Sequence, residues 1–202
     1  MNDTDEPWIE TAPAERHHVD GGLLARESVL LEVAPRSVLS VLLPGRVVRP
    51  DDPASEVVRV GVGAQAAWWH FVEDVEASVP APLLDVEVVP EPGGHRVEVM
   101  AHTLLRDLTP LVDRLDPSAS VDEMLVTLLP GERVTFRVQG TVGASSDSCL
   151  DPLVLRSSND LFHPRAAASG SEGLVSVGVG VAAGAGLAVN VGVAAGARLA
   201  AG

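Results

Sequence analysis

Apolar and polar positions alternate with a period of two in short runs along the first 160 residues, the spacing of strands that lay one face on a core. Val134, Phe136 and Val138 alternate with Arg133, Thr135 and Arg137. Leu84, Val86 and Val88 alternate with Asp85, Glu87 and Val89, and Val97 and Val99 with Arg96, Glu98 and Met100. Val29, Leu31 and Val33 interleave with Leu30, Glu32 and Ala34 in the same way. Turn-forming clusters separate the runs: Asp20-Gly21-Gly22, Pro44-Gly45, Asp51-Asp52-Pro53, Pro92-Gly93-Gly94 and Pro130-Gly131. Strands at this spacing, with no long helical pattern between them, predict an all-β fold of small antiparallel sandwiches. Residues 116–124 read as a loop or a single turn.

A weak internal repeat points to two modules. Ser37-Val-Leu-Ser-Val-Leu-Leu-Pro-Gly-Arg-Val47 echoes Met124-Leu-Val-Thr-Leu-Leu-Pro-Gly-Glu-Arg-Val134, each reading as an apolar strand, a Pro-Gly turn and a second strand. Turn chemistry alone can also produce such a likeness. Between the copies, Pro80 and Pro82 fix φ near −65° and remove two backbone donors, which favours a stiff, extended connector. The expected organisation is one sandwich over residues 1–79, a second over 80–162 and a Gly/Ala/Val-rich tail over 163–202.

Composition narrows the function classes. Aromatic residues make up 3% of the chain, none of them Tyr, and all 14 basic residues are Arg against 28 acids, for a formal charge of −14. A nucleic-acid partner is not expected, because such a binder needs a basic face to release counterions. The single cysteine, Cys149, excludes a disulfide framework and a Cys-based zinc site. The first 20 residues hold six acids and no apolar run, so no secretory signal is read there and a cytoplasmic location is expected. From Gly173 onward only Ser176, Asn190 and Arg198 interrupt Gly, Ala, Val and Leu. The tail is expected to be disordered. Two other readings stay open: a membrane-inserted or partly stranded segment, since residues 174–197 carry no charge, and translation that has left its ancestral frame, since G/C-rich codons would give this composition. Gly content argues against a membrane helix.

Several ordered motifs resemble a known family. Asn2-Asp-Thr-Asp-Glu-Pro-Trp8, Trp68-Trp-His-Phe-Val-Glu-Asp74 followed by Pro80-Ala-Pro82, Leu104-Leu-Arg-Asp-Leu108, Val112-Asp-Arg-Leu-Asp-Pro117, Val126-Thr-Leu-Leu-Pro-Gly-Glu132 and Val154-Leu-Arg-Ser-Ser-Asn-Asp-Leu161 resemble the C-terminal region of β-mannosidases of glycoside hydrolase family 2. The resemblance implies two Ig-like sandwiches that follow a catalytic barrel: an Ig/carbohydrate-module-like domain, expected to lack its opening strand, and a terminal Ig-fold domain. It implies a glycosidase barrel or β-mannoside sugars as partners. The tail has no counterpart in that family. The family's acid/base is a Glu preceded by Asn, on a barrel that needs about 250 residues. No Asn-Glu dipeptide occurs here, so no catalytic residue carries over. The expected role is structural and non-catalytic, with a stand-alone carbohydrate-binding module as the alternative and assembly with a separately encoded barrel as a third possibility.

Binding candidates are the tryptophans. Trp68 and Trp69 are neighbours on one expected strand and face apart, Trp68 with His70 and Trp69 with Phe71, so one is expected in a core and the other outward, to stack on sugar or pack on a barrel. Trp8 has the same two readings. No metal or cofactor is expected: His17 and His18 face apart, and His70, His95, His102 and His163 lack ligand spacing and read as surface or loop residues. Gly178-Val-Gly180-Val-Ala-Ala183 fits G-x-G-x-x-A only superficially, with no helix pattern after it. Cys149 lacks a basic activating neighbour. Arg106-Asp107 and Asp113-Arg114-Leu115-Asp116 read as surface ion pairs.

Overall fold

The computed structural model describes residues 1–62, 65–140 and 145–165. Its described residues form an all-β, antiparallel protein. The tail beyond residue 165, with its disorder, membrane and G-x-G-x-x-A readings, lies outside the described residues. The chain divides into two compact units, Met1–Pro80 and a second that begins at Ala81.

In the first unit, β1 (Trp8–His18), β2 (Leu23–Val33), β3 (Glu56–Val62) and β4 (Gln65–His70) form one antiparallel sheet in the order β2-β1-β3-β4. Strand pairing sets side chains directly opposite one another on a shared face. Ala12 opposite Val29, and Ala14 opposite Val60, therefore look toward the same side as Val58. That side carries the core: Ala14, Val29, Val47 and Val58 are buried, with Leu31, Leu43, Val60 and Phe71 packed around them. Its cover is not a second sheet. Residues 38–43 join no sheet, and α1 (Gly45–Val48) is a single helical turn that drops Val47 into the core. The hairpin expected around Pro44-Gly45 is thus corrected. The Pro44 carbonyl accepts from the Val47 amide at 2.9 Å, which winds the chain into a turn where a second strand was expected.

The second unit is a two-sheet sandwich. One sheet has the order β5-β6-β10-β8, built from β5 (Leu84–Glu91), β6 (Gly94–Ala101), β8 (Ser120–Val121) and β10 (Arg133–Gln139). The other has the order β11-β7-β9, built from β7 (Leu105–Pro110), β9 (Val126–Leu128) and β11 (Leu155–Arg156). The period-two residues face inward as their spacing predicts: Val97, Val99, Phe136 and Val138 from the first sheet meet Leu105, Leu108, Leu128 and Leu155 from the second. Two local expectations fail. Residues 116–124 contain β8, which pairs with β10, and not merely a turn. Pro130-Gly131 does not close a hairpin, because β9 and β10 belong to opposite sheets. This corner is anchored on β6: Gly131 N–H donates to Ala101 O at 2.7 Å and Ala101 N–H to Glu132 O at 3.0 Å.

Glycine is required at the β5–β6 turn. Pro92 pre-sets the first corner, and Gly93 follows at φ +89°, a combination suited to a type II turn. A Cβ on the next residue, Gly94, would lie 1.9 Å from the Val138 carbonyl oxygen, backbone against backbone. Two outcomes are expected in urea denaturation: Phe136→Ala, fully buried between the sheets, should cost about 3–5 kcal/mol, and Gly94→Ala about 1–3 kcal/mol. Unchanged midpoints would show that the core or the β6–β10 contact is looser than described.

Candidate functional site

The three tryptophans are held on two faces and do not converge. Trp69 sits opposite Val58, so it shares the core face of the first sheet. β4 is an edge strand, however, with a neighbour on one side only, and Trp69 projects past the cover with 65% of its surface exposed. Trp68 looks to the opposite face, where the Arg59 guanidinium stands 5.5 Å from its ring centroid in a cation–π contact. Neither ring is a buried core residue, which corrects the expectation that one of the pair would be. The core position at this end belongs to Phe71, two residues beyond Trp69. Trp8 lies opposite Val33 on the core face and is half-buried. Arg16, Val58 and Trp69 are level across the sheet, so Trp8 is about 27 Å from that row along β1. No common aromatic platform exists among them.

Polar groups on this sheet are mostly engaged. Glu56 is buried, and its Oε2 pairs with Arg16 Nη1 at 2.5 Å while its Oε1 accepts the amides of Asp51 at 3.2 Å and Asp52 at 2.9 Å. A buried ion pair offsets its desolvation only when the remaining lone pairs are satisfied, as they are here for the carboxylate. On the other face Glu15 bonds the His17 ring at 3.2 Å and Arg26 at 3.3 Å. His17 is buried, and so is His95 in the second unit, contrary to their reading as surface residues.

The second unit is closed by Asn159, a residue no sequence motif singled out for this role. Its Oδ1 accepts the Arg106 amide at 2.8 Å and its Nδ2 donates to Leu104 O at 2.8 Å, joining the helical turn Ser158–Leu161 to the start of β7. β7 is irregular between Leu105 and Leu108, and Asp107 there has φ +52°. Such a bulge re-aims side chains. Arg106 is buried here, which corrects its reading as a surface residue, and Asp107 accepts from Ser158 Oγ at 2.9 Å. The Asp116 carboxylate likewise caps Ser118, at 2.8 Å from its amide and 2.7 Å from its hydroxyl. Asp160 closes a capping box with Ser157 and pairs with Arg165 Nε at 2.5 Å. Burial by itself would push the Asp160 carboxyl up; the donors from Arg165 and Ser157 outweigh it and hold the group below the usual carboxylate range.

These surroundings bound the chemistry. Glu56 and Asp160 are the buried carboxylates among the described residues, and each is consumed by a structural ion pair. A retaining glycosidase needs two carboxylates free to act on a sugar; both of these are held in ion pairs. His102 bonds Asp85 at 2.7 Å, but among the described residues no hydroxyl or thiol is bonded to its ring. Cys149 is buried in the sandwich core, and that burial pushes its thiol up, away from thiolate chemistry. Among the described residues no group of His, Cys, Asp and Glu is arranged to hold a metal ion, and no helix is long and apolar enough to cross a membrane. A hollow of about 380 Å³ lies where the β5–β6 turn meets the end of β10, lined by Glu91, Gly94, His95, Arg137 and Gln139.

No protein-family model and no curated protein matches the chain in sequence. Among solved structures, the chain is similar to the β-D-mannosidase from Dictyoglomus thermophilum, with a TM-score of 0.54 over 76% of this chain at 14% identity. The similarity is one of fold. The chain spans 19% of the length of that enzyme.

Two measurements check this description. Because Asp160 is held below its unfolded value of about 3.9, its contribution is present above pH 4 and is lost as the pH falls through the lower folded value. Asp160→Asn should therefore cost about 1–3 kcal/mol at neutral pH and flatten the acid limb of a stability-versus-pH curve; an unchanged limb would contradict the pairing. Trp69→Ala should cost under about 1 kcal/mol, and a loss comparable to that of a core residue would show that the ring is covered.

Proposed function

We propose that this chain is a non-catalytic β-sandwich part of a β-mannosidase-like hydrolase of glycoside hydrolase family 2, whose role is to support a catalytic barrel that cleaves terminal β-mannosides. The observation that carries this reading is the shared fold with a β-D-mannosidase over 76% of the chain. The chemistry agrees with it. Glu56 and Asp160 are spent on ion pairs, Cys149 is buried in a core, and the sequence has no Asn-Glu dipeptide. A formal charge of −14 without any Lys supports a protein or sugar partner over a nucleic acid.

One observation favours a second reading, that of a carbohydrate-binding module: Trp69 offers an exposed ring of the kind that stacks on a sugar. It stands without the other tryptophans. The purified chain is expected to leave an aryl β-mannoside intact and to show no saturable heat with mannohexaose in titration calorimetry. Turnover abolished by mutating one of its Glu residues would overturn the non-catalytic reading. Saturable binding abolished by Trp69→Ala would establish the carbohydrate-binding reading in its place.

A further inference from the structure

The turn that joins β1 to β2 holds Asp20-Gly21, the one aspartate in the sequence that is followed by glycine, and no asparagine is followed by glycine. An Asp-Gly bond is open to a spontaneous rearrangement, because glycine has no Cβ to shield its amide nitrogen from the side chain before it. The rearrangement also needs water at the carboxyl group. The Asp20 side chain is 71% exposed, so water reaches it. The next least hindered pair, Asp147-Ser148, carries a Cβ on its second residue.

The reacting atoms are nevertheless tied down. Gly21 N–H donates to His18 O at 2.8 Å, and His18 N–H donates to Gly22 O at 2.8 Å, which together close the turn. Asp20 Oδ1 accepts the Gly22 amide at 2.9 Å and stands 3.0 Å from His18 Nδ1, a ring nitrogen that also meets the Asp20 amide at 3.3 Å. The carboxylate therefore reaches past Gly21 to the next amide, as in an Asx-turn, with the His18 ring against it. These contacts, the Gly22 amide first and His18 after it, hold the Asp20 carboxyl below the usual carboxylate range. An ionised carboxylate resists attack, since it must take up a proton before an oxygen can leave as water.

We propose that Asp20 is a latent site of backbone isomerisation, with His18 as the side chain that restrains it. In the reaction the Gly21 nitrogen attacks Cγ of the protonated Asp20 carboxyl and an N–C bond forms. The nitrogen gives up its proton, and a carboxyl oxygen leaves as water, closing a succinimide. Water then adds to either ring carbonyl. Addition at the main-chain carbonyl of Asp20 breaks its bond to the Gly21 nitrogen and leaves isoaspartate, with the chain running through the side-chain carbon; addition at Cγ restores aspartate. Water is the only co-reactant. The isoaspartyl product carries an additional backbone methylene between residues 20 and 21. The bonds from Gly21 N–H to His18 O and from His18 N–H to Gly22 O span that stretch, so the lengthened turn no longer fits both, and the β1–β2 pairing loses its closed end. This inference is independent of the glycosidase reading.

The full chain can be tested by incubation at neutral pH, with isoaspartate at each Asp position counted by peptide mass spectrometry. Isoaspartate at residue 20 should accumulate at least about tenfold more slowly in the folded chain than in the same chain in urea, since the turn must open before it reacts. His18→Ala should raise the folded-chain rate severalfold, leave the rate in urea unchanged and leave Gly21 amide exchange as slow as in the wild type. Absence of isoaspartate at residue 20 in urea, or a greater yield at Asp147, would overturn the site. Equal rates in the folded and unfolded wild-type chain would overturn the restraint, a comparison that needs no variant and stands even if His18→Ala fails to fold. A rise in His18→Ala matched by an equal rise in Gly21 exchange, or no rise at all, would assign the restraint to the backbone bonds of the turn and overturn the role given to His18.

Discussion

Each strand of this protein must do two things at once: bury its apolar face and give its backbone a hydrogen-bonding neighbour. The second unit meets both demands by setting two sheets face to face, so that Phe136 and its neighbours on one sheet and Leu105, Leu108 and Leu155 on the other supply a common core. Apart from Phe136, closure depends on aliphatic side chains approaching from both sides. The first unit meets the first demand by another route. Its core is completed by Leu43 and by one helical turn that buries Val47, while the backbone of residues 38–43 makes no hydrogen bond among the described residues.

Buried polar groups complete each unit where regular pairing ends. Asn2 donates to Glu6 O at 2.7 Å and to Val33 O at 3.1 Å, holding the start of the chain to the end of β2. Asn159 does the corresponding work between Leu104 and Arg106. An amide can donate and accept together without carrying charge, so it satisfies orphan backbone groups at lower desolvation cost than a carboxylate. Where a carboxylate is used, as with Glu56 or Asp160, an arginine accompanies it. The strained backbone at Asp107 belongs to the same economy: the irregularity that breaks β7 pairing points the Arg106 amide at Asn159.

The buried carboxylates and amides among the described residues are used structurally. Catalytic groups need perturbed ionisation beside accessible space. Asp160, a buried carboxylate held low by its neighbours, is locked in a capping box, and the Cys149 thiol, pushed up by burial, is sealed in a core. The exposed apolar features include Trp69 on an edge strand and the aliphatic residues of 38–42.

The inward faces of β2, β5, β6 and β10 and the turns at Asp20-Gly21-Gly22 and Pro92-Gly93-Gly94 were legible in the sequence, because alternation, proline and positive-φ glycine act within a few residues. Pairing partners were not. Ser37-Val47 and Met124-Val134 have nearly the same local pattern, yet one contains an unpaired stretch and a helical turn while the other contains strands of two opposite sheets. Nor could alternation tell that Trp69 would face the core side and still be exposed, or that Arg106, His17 and Asn159 would be buried. Period two fixes which side of a strand a residue occupies. Whether another strand stands beside it, and whether anything covers that side, depends on residues tens of positions away, and only the tertiary structure brings those together.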